Sequence, residues 1–302
     1  MSAGVLAPVE VPFPIAVPYR VNPAPRTVAG PPLVELDDAW PTALARRCER
    51  LTSDEAGVVV RDGDHPGLLP ALTAAFDLLP GRVGALPLLG VRLTSGRATR
   101  VGPSVSEPAT ALLLAREGLD LLVTAWLLAC SDDLVVLRRR GPGEAVAELL
   151  AVAFPSGWPP RLRAGATLLE LHAPVADGER LQRAAPALTE ALLTKGPLRQ
   201  HVWGLDPSGR LDHDPSAADV ATEPVPTDPS RWWLRVERQS SVPLPALGRA
   251  LFTIRPYLVP LTSLDTGQRA VLAAAVSSMS PQALAYKGIT ELAPDLVAWL
   301  VS

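Results

Sequence analysis

The chain has 302 residues, of which 48% are hydrophobic and 20% are charged, which is the composition of a globular protein with a sizeable core. A formal charge of −3 and a pI of about 5.9 provide no basic field for a polyanion, so we exclude nucleic-acid binding. The two cysteines, Cys48 and Cys130, lack zinc-ligand spacing and no apolar run can span a bilayer, so we expect a cytoplasmic protein without a membrane segment.

The hydrophobic pattern divides the chain into a Pro-rich N-terminal arm, residues 1–33, and a single domain, residues 34–302. In chain order we predict a helix at 40–51, a strand at 58–61, helices at 66–79 and 107–130, strands at 133–139 and 147–154, helices at 161–172 and 178–194, a polar loop at 204–230, strands at 233–239 and 250–257, and helices at 267–279 and 281–301. Residues 80–107 give no clear prediction. Strands that cluster in the middle and late chain, with helices on both sides, predict an α+β fold.

Two strand-like segments near the C-terminus carry an unusual number of charges. The first segment places Leu234 and Val236 on one face. Arg235 and Glu237 alternate to the other face, whereas Arg238 interrupts the alternation by falling on the apolar face. An unpaired buried guanidinium is too costly, so Arg238 lies either at a strand end or against a buried anion.

The arginines of this strand pair allow two interpretations. On a solvated face, Arg235 beside Glu237 and Arg255 would form a cross-strand ladder of ion pairs that contributes little stability. In a binding site, the same guanidinium groups could hold carboxylates through paired hydrogen bonds. Residue types alone favour the ladder.

The sequence contains no Gly-rich phosphate loop, no GxSxG elbow and no HExxH motif, so nothing in it supports nucleotide binding or the common hydrolase mechanisms. Of the four histidines, His65 and His213 lie in polar turns, and we expect both to face solvent.

His172 ends an apolar helix face and is followed by a proline at position 174, which stops the helix. Such an imidazole is either a hydrogen-bonded core or cap residue or a single axial ligand to haem iron, which requires one nitrogen donor, an apolar slot and basic partners. His201 is the second candidate, and alternation places it with Arg199 and Trp203, opposite Gln200 and Val202.

Five blocks give the chain a resemblance to a known family. They are Phe154-Pro-Ser-Gly-Trp158, Leu171-His-Ala-Pro-Val175, Leu234-Arg-Val-Glu-Arg-Gln239, Leu251-Phe-Thr-Ile-Arg255 with Tyr257, and Tyr286-Lys-Gly288. In this order they resemble blocks of the α-subunit-like family of haem-dependent oxidative N-demethylases, the dimethylamine monooxygenase type. The resemblance runs from about residue 12 to residue 300.

The resemblance implies a PAS-like antiparallel sheet with surrounding helices that form a pocket for haem b. It implies oxidative removal of a methyl group from a small secondary amine with O2, which releases formaldehyde. Electrons would come from NADPH through a separate flavin/iron–sulfur reductase subunit. Of the histidines only His172 falls in a matching block, so we predict it as the metal ligand, with Arg235, Arg238, Arg255 and His201 as further haem-binding candidates.

The chain departs from the family pattern before the acidic loop, where the family has an R-x-N-W block and this chain has Gln200-His-Val-Trp203. Arg199 could replace the missing arginine by a shift of one residue, whereas nothing replaces the asparagine. Two alternatives to a demethylase therefore stay open: a non-catalytic haem-binding sensor or carrier, and a haem-free interaction protein of the same fold.

Overall fold

A computed structural model gives the architecture of the chain and describes residues 6–20, 25–28, 33–172, 179–217, 220 and 224–302. The helices of this part are α1 (Trp40–Ser53), α2 (Glu55–Val58), α3 (Leu68–Ala75), α4 (Glu107–Leu114), α5 (Gly118–Ala129), α6 (Leu168–His172), α7 (Glu179–Thr194), α8 (Thr266–Ser277), α9 (Pro281–Tyr286) and α10 (Ala293–Val301). The strands are β1 (Arg26–Thr27), β2 (Val59–Arg61), β3 (Val91–Thr94), β4 (Arg97–Arg100), β5 (Asp133–Gly141), β6 (Glu144–Ala151), β7 (Leu198–Asp206), β8 (Trp233–Leu244) and β9 (Arg249–Pro260).

Among the described residues, seven strands form one antiparallel sheet in the order β1-β7-β8-β9-β5-β6-β2, and β3 pairs with β4 in a separate hairpin. The long strands β8 and β9 are joined by a tight turn in which Gly248 adopts the left-handed conformation, with φ of 60°, that glycine tolerates best. The predicted α+β fold built on an antiparallel sheet is therefore confirmed.

The sheet has two faces, which we name after the helices that cover them. On the α1 face, Leu134 and Val136 pack with α1, α3 and α5, and the same face of β8 and β9 continues under α8 and α10. On the α6 face, Val135 and Leu137 pack with α6 and α7. Successive residues of a strand point to alternate faces, so the register assigns each residue of β7, β8 and β9 to one face.

The described part of the N-terminal arm packs on the body of the protein. Val9, Val11, Phe13 and Ile15 are partly buried against the core that α8 and α10 form with the sheet. Residues 1–5, 21–24 and 29–32 lie outside the described residues, and the division into an arm at 1–33 and a single domain at 34–302 stays a prediction.

Three predicted helices are wrong in extent. The helix predicted at 281–301 is divided into α9 and α10, with Gly288 at φ of 67° between them. The helix predicted at 107–130 is divided into α4 and α5, because Gly118 begins α5 with φ of 57°. The helix predicted at 161–172 is a regular helix only in α6, because the backbone of Gly165 hydrogen-bonds to Ala147 at 2.9 Å and follows the edge of β6 instead. None of the described helices combines the length and the apolar character needed to cross a membrane.

Candidate functional site

His172 lies at the end of α6, above the α6 face of the sheet. Leu168 and Leu171 are partly buried in the core on this face, and the half-buried His172 shares the helix face of Leu168. His172 Nδ1 donates a hydrogen bond to the Leu168 carbonyl oxygen at 2.8 Å, because a carbonyl can only accept. This bond fixes the tautomer that leaves a lone pair on Nε2, the arrangement of a metal-binding imidazole. Residues 173–175 of the same block lie outside the described residues.

Stability should depend on the protonation of His172. Burial lowers the pKa of His172 below its ordinary value of about 6.5. Below about pH 6.5 the unfolded chain takes up a proton at His172 and the folded chain does not, so the free energy of unfolding decreases as the pH is lowered. We expect His172→Asn to lose this part of the pH dependence. Urea midpoints of both proteins at about pH 7.5 and pH 5.5 test this, and an equal fall in both would contradict it.

A carboxylate lies at the centre of the α6 face of β8. The side chain of Glu237 is 14% exposed and accepts hydrogen bonds from Ser156 Oγ and, at 3.2 Å, from Gln239 Nε2. Gln239 Oε1 accepts in turn from Gln200 Nε2 on β7 at 2.8 Å. This chain of polar groups restricts the orientation of the Glu237 carboxylate.

Arg235 lies on the same face of β8, and it is 6% exposed. Its two terminal nitrogens donate to the carbonyl oxygens of Leu211 and Phe154 at 2.9 Å each. The carboxylates of Asp206 and Glu237 lie 3.8 and 3.6 Å from the guanidinium. Arg235 therefore ties the segment after β6 and the polar loop to the sheet, and its charge partly offsets that of Glu237.

Apolar and aromatic groups beside this carboxylate remain exposed. Val202, the cross-strand neighbour of Glu237, is 39% exposed, and Tyr286, which interacts electrostatically with Glu237, is 47% exposed. On α6, away from the contacts recorded for Glu237, Leu169 is also half-exposed. A polar centre with an exposed apolar border is typical of a surface that a ligand or partner covers.

Arg238 and Arg255 lie on the other side of the sheet, on the α1 face, and both are 3% exposed. Arg238 pairs with Glu35 at 2.7 Å and with the fully buried Asp132 at 3.3 Å. Arg255 donates to both oxygens of buried Asp37, at 2.8 and 2.9 Å. Of the two possibilities for Arg238, the buried anion is confirmed. Carboxylates of the chain itself therefore neutralise both guanidinium groups.

His201 also lies on the α1 face, in register with Arg238. Burial lowers the pKa of His201, and the positive charges of Arg199 and Arg238 lower it further. Gln200 and Val202 lie on the α6 face, as the alternation predicts. The hypothesis that Arg199 replaces the family arginine by a shift of one residue is wrong, because such a shift moves the side chain to the opposite face.

The five predicted site residues therefore form two groups. His172 and Arg235 lie on the α6 side, whereas His201, Arg238 and Arg255 lie on the α1 face. A planar cofactor on one face of the sheet cannot contact both groups, because the sheet separates them. Haem binding by any of these residues stays a prediction.

The residues that sequence reasoning missed are Glu237, Gln239 and Ser156 as interacting groups. These residues lie in the blocks of the family resemblance, but only the fold brings Ser156 against Glu237 on β8.

The prediction that His213 faces solvent is wrong. Its ring is 15% exposed, and its Nε2 lies 2.8 Å from an Asp206 carboxylate oxygen. Within the described ranges, no group of three His, Cys, Asp or Glu side chains could hold a metal ion, whereas a haem iron needs one protein donor.

A separate groove of about 790 Å3 lies at the tip of the β5–β6 hairpin. It is lined by Arg138, Arg139 and Arg140, each of which is ion-paired with a glutamate. Because this groove does not include His172, it is not part of the candidate site.

Comparison with known proteins gives one family. Residues 95–297, more than half of the chain, match the family described as haem-dependent oxidative N-demethylase, alpha subunit-like. Among curated proteins, none shows significant similarity to the chain. The five blocks that carry the resemblance all lie within the matched residues. The chain therefore belongs to the alpha subunit-like family of haem-dependent oxidative N-demethylases.

Proposed function

We propose that the chain is a PAS-like haem protein of the cytoplasm that oxidatively demethylates a small secondary amine and releases formaldehyde. Haem b would lie on the α6 face with His172 Nε2 as its protein ligand. The residues fit the group, since the imidazole is half-buried, its Nδ1 is engaged with Leu168 O and its neighbours Leu168 and Leu171 are apolar. When bound, the haem would supply the oxygen activation and electron-transfer chemistry that amino acids lack.

The observation that carries the proposal is the convergence of the family blocks on one face of the sheet. Ser156 and Tyr286, from two blocks, interact with Glu237 of a third. Leu171 and Phe252, from the other two blocks, pack in one core on the same face of the sheet. Residues far apart in sequence that meet around one partly exposed carboxylate indicate a ligand site more strongly than any single motif does.

Glu237 is the group that we propose to bind the amine. A secondary amine is protonated at neutral pH, and a carboxylate held by Ser156 and Gln239 can accept a charge-assisted hydrogen bond from it. The exposed Val202 and Tyr286 would contact the methyl groups and exclude water. Gln200 would position Gln239 rather than touch the amine.

The role of Glu237 predicts a change in substrate binding. Glu237→Gln should raise the KM for the amine roughly 10- to 100-fold, the cost of a charge-assisted hydrogen bond of about 1.5–3 kcal/mol, and change kcat less. Steady-state kinetics with dimethylamine measures both constants. Glu49→Gln, on the exposed face of α1, is the control and should match the parent. Unchanged KM in Glu237→Gln would remove the residue from the amine site.

Electrons must reach the haem from outside the chain. The sequence has two cysteines and no nucleotide-binding motif, so it cannot ligate an iron–sulfur cluster through four thiolates. We propose a separate flavin/iron–sulfur reductase subunit that uses NADPH, in line with the family's description as alpha subunit-like.

The test of the proposal is the absorption spectrum of the full chain with added haem, followed by assay of formaldehyde from dimethylamine, O2 and a chemical reductant. We expect a Soret band whose intensity corresponds to about one haem per chain. We also expect formaldehyde to be released only when the amine is present. A chain that never acquires a Soret band would exclude both haem functions and leave a haem-free interaction protein.

A non-catalytic haem sensor or carrier is the second candidate, favoured by one observation. Gln200 and Val202 stand on the α6 face where the family has arginine and asparagine, and Val202 directly neighbours Glu237. If the family arginine and asparagine are needed for catalysis, this chain would bind haem but would not demethylate an amine. A Soret band without formaldehyde for any small amine tested would select this candidate.

A further inference from the structure

Lys287, the residue after α9, has an unusual environment for a lysine. Its Nζ donates a hydrogen bond to the Trp203 carbonyl oxygen at 2.7 Å. The same nitrogen lies 5.0 Å from the centre of the Trp203 ring and 5.3 Å from that of Tyr19. These two rings pack edge to face, with centres 5.8 Å apart. The side chain therefore ends in a largely aromatic enclosure at the edge of β7.

No carboxylate of the described chain forms an ion pair with this amine. Glu237 is the charge that acts on it, from outside ion-pair distance, and it favours the protonated form. Burial has the larger effect and lowers the pKa of Lys287 to about 8. At pH 7 roughly a tenth of such an amine is unprotonated, against less than ~0.1% for an exposed lysine.

The amine reaches the candidate site. Gly204 follows Val202 on the α6 face of β7, and a β-carbon at Gly204 would lie 4.0 Å from Nζ. The amine therefore lies at the border of the α6 face, within van der Waals range of this position. Lys287 is thus a partly unprotonated amine beside the surface that carries Glu237.

We propose that Lys287 is a nucleophilic amine that captures a small aldehyde at the edge of the α6 face. The identification of that aldehyde as formaldehyde rests on the proposed function. The Nζ lone pair attacks the carbonyl carbon, and one proton passes from nitrogen to the carbonyl oxygen, which gives a carbinolamine. Loss of water then leaves an imine, and addition of water reverses both steps. No oxidant or reductant is needed.

Lysine is rare in this chain, so its presence at position 287 instead of arginine supports a chemical role. Of 28 lysines and arginines, only Lys195 and Lys287 are lysines. An arginine could fill the same space and donate the same hydrogen bond, but it stays protonated and cannot attack a carbonyl. Lys195 is exposed after the end of α7, and it provides an internal reference for an ordinary lysine.

The experiment treats the full chain with formaldehyde and sodium cyanoborohydride at about pH 7. The hydride reduces each imine to a methylamine, and peptide mass spectrometry then gives the rate of methylation at each lysine. We expect Lys287 to react at least ~10-fold faster than Lys195, because more of it is unprotonated. In 8 M urea the two rates should become equal. A Lys287 rate equal to or below that of Lys195 in the folded chain would overturn the proposal.

Two variants sharpen this result. Lys287→Arg should lose the fast site and leave the rate at Lys195 unchanged. Glu237→Gln removes the charge that favours protonated Lys287, so methylation of Lys287 at pH 7 should become faster, and a slower rate would count against the proposal. The labelling needs neither haem nor turnover, so it can succeed or fail whether or not the chain releases formaldehyde from an amine.

Discussion

Arg255→Ala is expected to lower the free energy of unfolding by about 3–5 kcal/mol, because it leaves a buried carboxylate without its partner. Arg255 is 3% exposed and Asp37 is 4% exposed, so water cannot replace the lost guanidinium. Arg255 also donates to the Ser131 carbonyl oxygen at 3.4 Å, which links the segment before α1 to the connection between α5 and β5. Urea denaturation monitored by tryptophan fluorescence measures the change.

The matched control is Arg82→Ala. Arg82 pairs with Asp77 at 3.2 Å, but both side chains are more than half exposed, so its loss should cost at most about 1 kcal/mol. If Arg255→Ala does not fold, Asp37→Asn keeps a hydrogen-bond acceptor and gives a smaller loss in the same direction. Equal effects of Arg255→Ala and Arg82→Ala would show that the buried pair contributes no more than a surface pair.

The same variant separates two roles of Arg255. If Arg255 only supports the fold, the fraction of Arg255→Ala that remains folded should bind haem like the parent. A folded variant that loses the Soret band would instead support the predicted role of Arg255 in haem binding, although Arg255 lies on the α1 face.

Much of the sheet could be predicted because its pattern is local. Leu234 and Val236 alternate with Arg235 and Glu237, and this two-residue period fixes which side chains share a face of β8. The cost of burying Arg238 also predicts a nearby anion without any coordinates. What the pattern could not identify was Asp132, because a loop residue more than a hundred positions away has no periodic relation to β8.

The site was predicted less well, for a related reason. The apolar spacing of residues 161–172 resembles a helix, yet pairing of Gly165 with β6 outweighs that local preference and leaves only α6. The five candidates cannot all bind one haem on one face, because neighbouring strand residues face opposite sides of the sheet. Arg235 and Arg238 are three residues apart and therefore lie on different faces.

His172→Ala should weaken haem binding more than about 100-fold, because losing even an outer partner of a metal ligand costs 10- to 100-fold. The half-buried ring has a hydrogen bond only on Nδ1 among the contacts of the described residues, so its Nε2 is the donor that the variant removes. Haem titration followed at the Soret band measures the loss. His172→Gly should recover the band when free imidazole is added, which a general packing defect would not do.

His201→Ala is the matched control, because it removes the other partly buried imidazole of lowered pKa, on the α1 face. It should bind haem within about twofold of the parent, since no iron ligand is lost. The reverse result, with the Soret band lost in His201→Ala and kept in His172→Ala, would move the cofactor through the sheet to the α1 face. The buried ion pairs of Arg238 and Arg255 would then have to break to admit the haem. The loss of unfolding free energy measured for Arg255→Ala gives the cost of breaking one of these pairs.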